Sequence, residues 1–169
     1  MMFREVPLHE KTKGRLYLHS MPGRHERLEE FHREILETKI NLIVCLAEAD
    51  EIEKKSPSYY QAIKSESIPC FKLDFPIPDY GIPSDFKLFA ECVQTVAQRI
   101  HSGDNVLLHC AGGIGRTGTF AVCLLHCFGF KQEIAVKIID KAGSYAERPE
   151  QRNLLMWHAD IVCRRMNCQ

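Results

Sequence analysis

Residues 105–118, Asn-Val-Leu-Leu-His-Cys-Ala-Gly-Gly-Ile-Gly-Arg-Thr-Gly, constrain this chain more than any other stretch. The apolar run at 106–108 has the length and composition of a strand buried on both faces, as in a parallel sheet. A loop with Gly112, Gly113 and Gly115 follows, and then an apolar helical pattern over 117–127. A strand that passes through a glycine-rich turn into a helix N-terminus presents a concave row of backbone N–H groups, which is an anion site. Cys110 stands at the strand end and Arg116 where the helix begins.

The spacing between these two residues carries chemistry. The intervening residues, Ala111, Gly112, Gly113, Ile114 and Gly115, can curl until their amides converge on one point above the sulfur. The same convergence favours a thiolate, and thiols at helix N-termini have pKa values of about 3.5–7.5 against about 8.5 when free. The Arg116 guanidinium offers a planar fork that matches two oxygens of a phosphate, and the glycines let the backbone approach the ligand. The ligand that fits is a tetrahedral oxyanion attacked at its centre by sulfur.

His109-Cys110-x5-Arg116-Thr117-Gly118 resembles the signature of the cysteine-dependent protein tyrosine phosphatases. The short form is most similar to dual-specificity and kinase-associated phosphatases and to small single-domain prokaryotic and archaeal tyrosine phosphatases. A structural alternative, a strand–helix turn holding a buried cysteine, accounts for the spacing but not for the glycines.

The rest of the chain alternates strand and helix patterns. Residues 14–19 and 40–46 read as strands, as do 70–75, and 27–38 as a helix with Leu28, Phe31, Ile35 and Leu36 inward. Residues 47–67 read as one or two short helices. Ser84 is an expected N-cap for a long helix closed by Gly103. Ile134, Ala135, Ile138, Ile139 and Ala142 mark another helix, and the last spans roughly 151–165. The expected architecture is α/β: a three-layer-like domain with a central, mostly parallel sheet of about four or five strands flanked by helices, as in phosphotyrosine phosphatases. Residues 1–169 are expected to form a single phosphatase domain.

Ester cleavage also needs a proton for the leaving oxygen. The loop 76–83, Pro-Ile-Pro-Asp-Tyr-Gly-Ile-Pro, leaves the C-terminal end of a strand, the side of an α/β sheet where ligands collect. Asp79 is its central acid. In the resembling family a mobile loop carries an aspartic acid here, so Asp79 is expected to protonate the leaving group and then activate water. Asp74 is the rival, and Asp85 reads as either capping or charging the first turn of the following helix. The resemblance gives the Thr117 hydroxyl the task of helping sulfur leave, against an ordinary helix-start threonine. His109 is expected to hydrogen-bond the loop rather than act as a base. Tyr80 either stacks on an aromatic substrate ring or covers the loop. Many relatives carry Gln-Thr-x-x-Gln to order the hydrolytic water; here only Gln151 matches, with Glu147 at the first position, so Gln151 is either a water-positioning residue or a plain helix start.

The expected reaction is metal-independent hydrolysis of phosphotyrosine, and in principle of phosphoserine or phosphothreonine, through a phosphocysteine. Phosphate docks on Ala111, Gly112, Gly113, Ile114, Gly115 and Arg116, with Tyr80 and Gln151 beside it. The alternatives are a phosphoinositide or nucleotide phosphatase, which a basic loop would favour where this one has Ala111 and Ile114, and an inactive phosphopeptide-binding module. A sulfur transferase or arsenate reductase would not need the Asp79 loop.

Composition sets the remaining expectations. The formal net charge is +0, which favours neither nucleic acid nor membrane as partner. The expected partner is a phosphorylated protein, and the chain is expected to be monomeric. Residues 1–6 lack the apolar core of a signal peptide. Of eight cysteines, Cys45, Cys92, Cys123 and Cys163 fall inside apolar patterns and read as reduced core thiols in a cytoplasmic protein. There is no Cys-x-x-Cys pair and the histidines are scattered, which gives a zinc site little support, so no cofactor is expected. Some relatives place a redox partner for the reactive cysteine at the position of Cys45; a buried structural thiol is the alternative.

Overall fold

The computed structural model describes residues 2–167, with side chains through Arg164. Five strands, β1 (Arg4–Val6), β2 (Leu16–His19), β3 (Ile40–Cys45), β4 (Phe71–Asp74) and β5 (Asn105–His109), form one sheet in the order β1-β2-β5-β3-β4. β5 lies between β2 and β3, parallel to both, and β3 pairs in parallel with β4. β1 alone runs antiparallel, on the edge beside β2. The central place of β5 explains its unbroken apolar run, since neither face can meet water.

Helices cover both faces. α1 (Leu28–Thr38), α2 (Ala49–Lys55) and α3 (Pro57–Lys64) lie on one; α4 (Phe86–Ser102), α5 (Gly115–Cys127), α6 (Gln132–Lys141) and α7 (Pro149–Asn167) lie on the other. The period-2 alternation of strands divides the core accordingly. Val106, Leu108 and Cys110 pack with Phe89, Val93 and Phe120, while Leu107 and Ala111 pack with Ile43, Cys45, Phe31 and Tyr59. Among the described residues no helix is long and apolar enough to cross a membrane.

The structure departs from the sequence reading in several places. β1 was not anticipated: three residues carry no period, and its pairing with β2 is tertiary. The cap of α4 is Asp85, whose carboxylate accepts from the Leu88 amide at 2.9 Å, and not Ser84. Leu36 is 65 % exposed, because Phe31 and Ile35 already take the inward stripe of α1. Cys163 is exposed rather than in the core: α7, with 19 residues, outruns the 13-residue α5 against which it packs.

Candidate active site

The loop after β5 is shaped by its carbonyls. The Cys110 oxygen accepts from the His109 ring at 3.0 Å and the Ala111 oxygen from the Met21 amide at 2.9 Å. The Gly113 oxygen accepts from Arg4 Nη2 at 2.7 Å and Ser144 Oγ at 2.6 Å. The Ile114 and Gly115 oxygens accept from the Gly118 amide and the Thr119 hydroxyl. With the carbonyls of Cys110, Ala111, Gly113, Ile114 and Gly115 so engaged, none of the amides of residues 111–116 donates to another group among the described residues. The result is a nest of N–H groups at the start of α5, with Cys110 buried beneath it. Gly113 makes the curl possible. Its φ is 68°, and a Cβ there would lie 2.3 Å from the His19 carbonyl oxygen. Gly118 serves the helix instead, since a Cβ would meet the Tyr145 amide at 2.5 Å.

Arg116 is held from several sides. Nη1 donates to Glu51 Oε2 at 2.7 Å and to the Ile77 carbonyl at 2.9 Å. Nη2 donates to Glu51 Oε1 at 2.9 Å and to Asp79 Oδ1 at 2.7 Å. Lys55, one turn past Glu51 on α2, bridges the two acids at 2.7 Å from Glu51 Oε1 and 3.0 Å from Asp79 Oδ2. Burial alone would raise the Glu51 carboxyl, but the hydrogen bonds from Arg116 and Lys55 hold it down at about 2. Burial acts against the Arg116 charge too, yet Glu51 and the neighbouring acids leave its pKa raised. The guanidinium is therefore a fixed cation with a fixed plane, which a phosphate-binding fork requires.

The Asp79 loop stands over this pair. Tyr80 sits at its tip with φ 57°, a conformation few side chains adopt, and its amide donates to Asp79 Oδ1 at 3.1 Å. The Tyr80 ring packs under the Arg148 guanidinium, 4.9 Å from its centroid. Asp74, the rival acid, ends β4 and pairs with Lys72.

A cavity of about 180 Å³ gathers these groups. Its walls are Cys110, Ala111, Gly112, Ile114, Gly115, Arg116, Asp79 and Tyr80, with Arg24, Lys55 and Glu147 around them. Thr117 lies behind the wall, fully buried, its hydroxyl with no hydrogen-bond partner among the described residues. Gln151 does not line the cavity. Its Oε1 accepts from the amides of Glu147 and Arg148, capping α7, and its Nε2 donates to the Gly81 carbonyl at 3.1 Å. Gln151 thus ties the acid loop to the α6–α7 connection, and Glu147 faces the cavity in its stead. Gly113 likewise shapes the loop from outside the cavity wall.

His109 is neutral and doubly engaged. Since a carbonyl only accepts, the ring nitrogen facing Cys110 carries the proton, and Nε2 accepts from the Tyr59 hydroxyl at 3.1 Å. Burial holds its pKa at about 4. Cys45 lies beside His109 in register on the core face opposite Cys110, its thiol directed at the Ala47 carbonyl, and burial pushes it up to about 12. That placement favours the structural thiol over the redox partner.

Sequence reasoning missed Glu51, Lys55 and Arg4. Each reaches the loop only through the tertiary fold: Glu51 stands 65 positions from Arg116, and Arg4 stands 109 positions from Gly113. The Glu51–Lys55 spacing of one helical turn was the single available signal, and it is common to solvated helices.

Comparison with known proteins gives the family and the fold. The family described as PTP-SAK, Swiss Army Knife protein, DSP-PTPase phosphatase domain, matches residues 12–161. Human tyrosine-protein phosphatase non-receptor type 4 is 37 % identical over 71 residues, 38 % of this chain and 8 % of that protein. The chain spans less than a third of the length of the curated relatives it matches. Among solved structures, a kinase associated phosphatase with its catalytic-site cysteine changed to serine shares the fold at a TM-score of 0.80 and 19 % identity, covering 95 % of each chain. Tk-PTP in its active form superposes at a TM-score of 0.69 with 27 % identity, over 90 % of this chain and 99 % of that one. The extent of the family match, together with a cysteine under an amide nest and an arginine fork at its rim, places the chain in the DSP-PTPase phosphatase family.

Proposed function

We propose that residues 1–169 form one phosphatase domain that hydrolyses phosphomonoesters on proteins, phosphotyrosine first and phosphoserine or phosphothreonine in principle, in the cytoplasm and as a monomer. The observation that carries this reading is the convergence of Cys110, the loop amides, Arg116 and Asp79 on a single small cavity. The phosphate dianion enters the nest and takes the Arg116 Nη2 direction now used by Asp79, while Glu51 keeps its grip on both terminal nitrogens. The Cys110 thiolate attacks phosphorus in line, and Asp79, released from the guanidinium and protonated from solvent, passes that proton to the leaving oxygen. A phosphocysteine forms. Water, deprotonated by Asp79, then attacks phosphorus, and the sulfur leaves with the buried Thr117 hydroxyl as its hydrogen-bond donor. Loop amides and Arg116 hold the charge on the equatorial oxygens in both steps, so the reaction needs no metal to do so.

The loop side chains that line the cavity, Ala111 and Ile114, carry no charge, which suits a monoester on a peptide better than a multiply phosphorylated inositol. The test is hydrolysis of p-nitrophenyl phosphate and of phosphopeptides in the presence of a chelator. Turnover is expected for the wild type and none for Cys110→Ser; equal turnover by the two would overturn the reading.

A further inference from the structure

Three buried side chains far from the catalytic cavity converge although they are scattered in sequence. Cys123 and His126 stand on α5 and His158 on α7. The Sγ and ring-nitrogen atoms lie within 4.8 Å of one another, and all three residues are buried. His126 Nδ1 and His158 Nδ1 are 3.2 Å apart. The two facing nitrogens can share only one proton between them, so at least one presents a lone pair to the other. Nearby, His126 Nε2 and Gln132 Oε1 are both buried and lack a hydrogen-bond partner among the described residues. Buried polar atoms left this way are rare and ask for a cause.

We propose that Cys123, His126 and His158 form a structural zinc site joining α5 to α7. A thiolate and two neutral imidazoles are donor types that Zn²⁺ takes, and tetrahedral bonds of about 2.0–2.3 Å place donor atoms at separations like those seen here. Binding through the two Nδ1 atoms moves the shared proton to the Nε2 of its own ring. The His126 Nε2–H then faces an unused acceptor in Gln132 Oε1, the kind of partner that orients metal-bound imidazoles. The Cys123 thiol gives up its proton to solvent as the Zn–S bond forms, one proton per metal, and no electron is transferred. A cavity of about 350 Å³, lined by His126, Phe130, Lys131, Gln132, Asp160 and Cys163, reaches the cluster at His126, although Cys123 and His158 do not line it. The site lies eight residues beyond Gly115, about 12 Å along α5. It would therefore fasten the far end of the helix whose N-terminus builds the catalytic loop, without entering the reaction.

The test uses the full chain carrying Cys110→Ser, so that the reactive thiol does not compete, stripped with chelator and titrated with Co²⁺ and then Zn²⁺. Expected are one equivalent of Co²⁺, sulfur-to-cobalt charge transfer with d–d bands of four-coordinate intensity, displacement by Zn²⁺, and a rise in Tm with zinc. Cys123→Ala and His158→Gln should each lose the bands and the Tm shift, and Gln132→Ala should weaken binding by roughly 10–100-fold. Absence of the sulfur-to-cobalt band in the parent, or the same band and stoichiometry in folded Cys123→Ala, would overturn the site. If Cys123→Ala does not fold, the parent spectrum and His158→Gln decide in the same way.

Discussion

Glu51 grips Arg116 through both carboxylate oxygens, at 2.7 and 2.9 Å, with the two side chains 9 % and 2 % exposed. The pair fixes the guanidinium before any phosphate arrives. Orientation is thus settled in the resting protein rather than at the moment of binding, which is how preorganised charge accelerates a reaction.

Glu51→Gln should therefore cost activity as well as stability. Arg116 would keep the Ile77 carbonyl and Asp79 but lose its balanced fork. Removing a charge-assisted hydrogen bond of this kind costs about 1.5–3 kcal/mol, read as a drop in the denaturant midpoint. A guanidinium free to tilt should lower kcat/KM by up to about 10²-fold. Unchanged kinetics in Glu51→Gln would mean that the pair serves stability alone.

Asp79→Asn separates proton transfer from binding. The amide cannot donate an acidic proton, so kcat should fall by about 10²–10⁴-fold. Vanadate or phosphate affinity should hold or improve, because the carboxylate that competes for Arg116 is neutralised. Equal losses in affinity and kcat would assign Asp79 to the loop's architecture.

Stability should fall with acid in two windows. Burial keeps His109 neutral down to about 4, whereas an unfolded histidine takes up its proton near 6.5. Its contribution is complete above the unfolded value and is lost as pH falls from there through the folded one. Glu51 follows at lower pH: its contribution is present above the ordinary carboxylate value of 4.5 and is lost as pH falls through about 2. Thermal melts across the upper window should show a decline in the wild type that is flatter in His109→Asn.

Gly113→Ala tests the loop's curl. Its φ of 68° and the 2.3 Å approach to the His19 carbonyl leave no room for a Cβ. Strain of this type costs of order 1–3 kcal/mol, and relief would open the loop and scatter its amides. Turnover and vanadate binding should both collapse while the far-ultraviolet circular dichroism stays native.

Much of this was legible in the sequence because it is local. The strand, turn and helix around Cys110 announce themselves through apolar runs and glycines, and the Asp79 loop through its prolines. What stayed hidden was convergence across distance. Glu51 and Lys55 look like any charged helix face until the fold sets Arg116 against them. Gln151 stays open between a water-positioning residue and a plain helix start until its side chain is seen capping α7. His126 and His158, 32 positions apart, gave no spacing to recognise and yet meet in the core. Three-residue β1 carries no period at all, although its Arg4 braces the Gly113 carbonyl.

The most direct measurement is rapid acid quench of the enzyme mixed with an aryl phosphate, followed by peptide mass spectrometry. The account predicts a phosphoryl group on the peptide containing Cys110, attached to sulfur and absent from Cys110→Ser. Steady turnover with no phosphorylated Cys110, or turnover that survives Cys110→Ser, would contradict it.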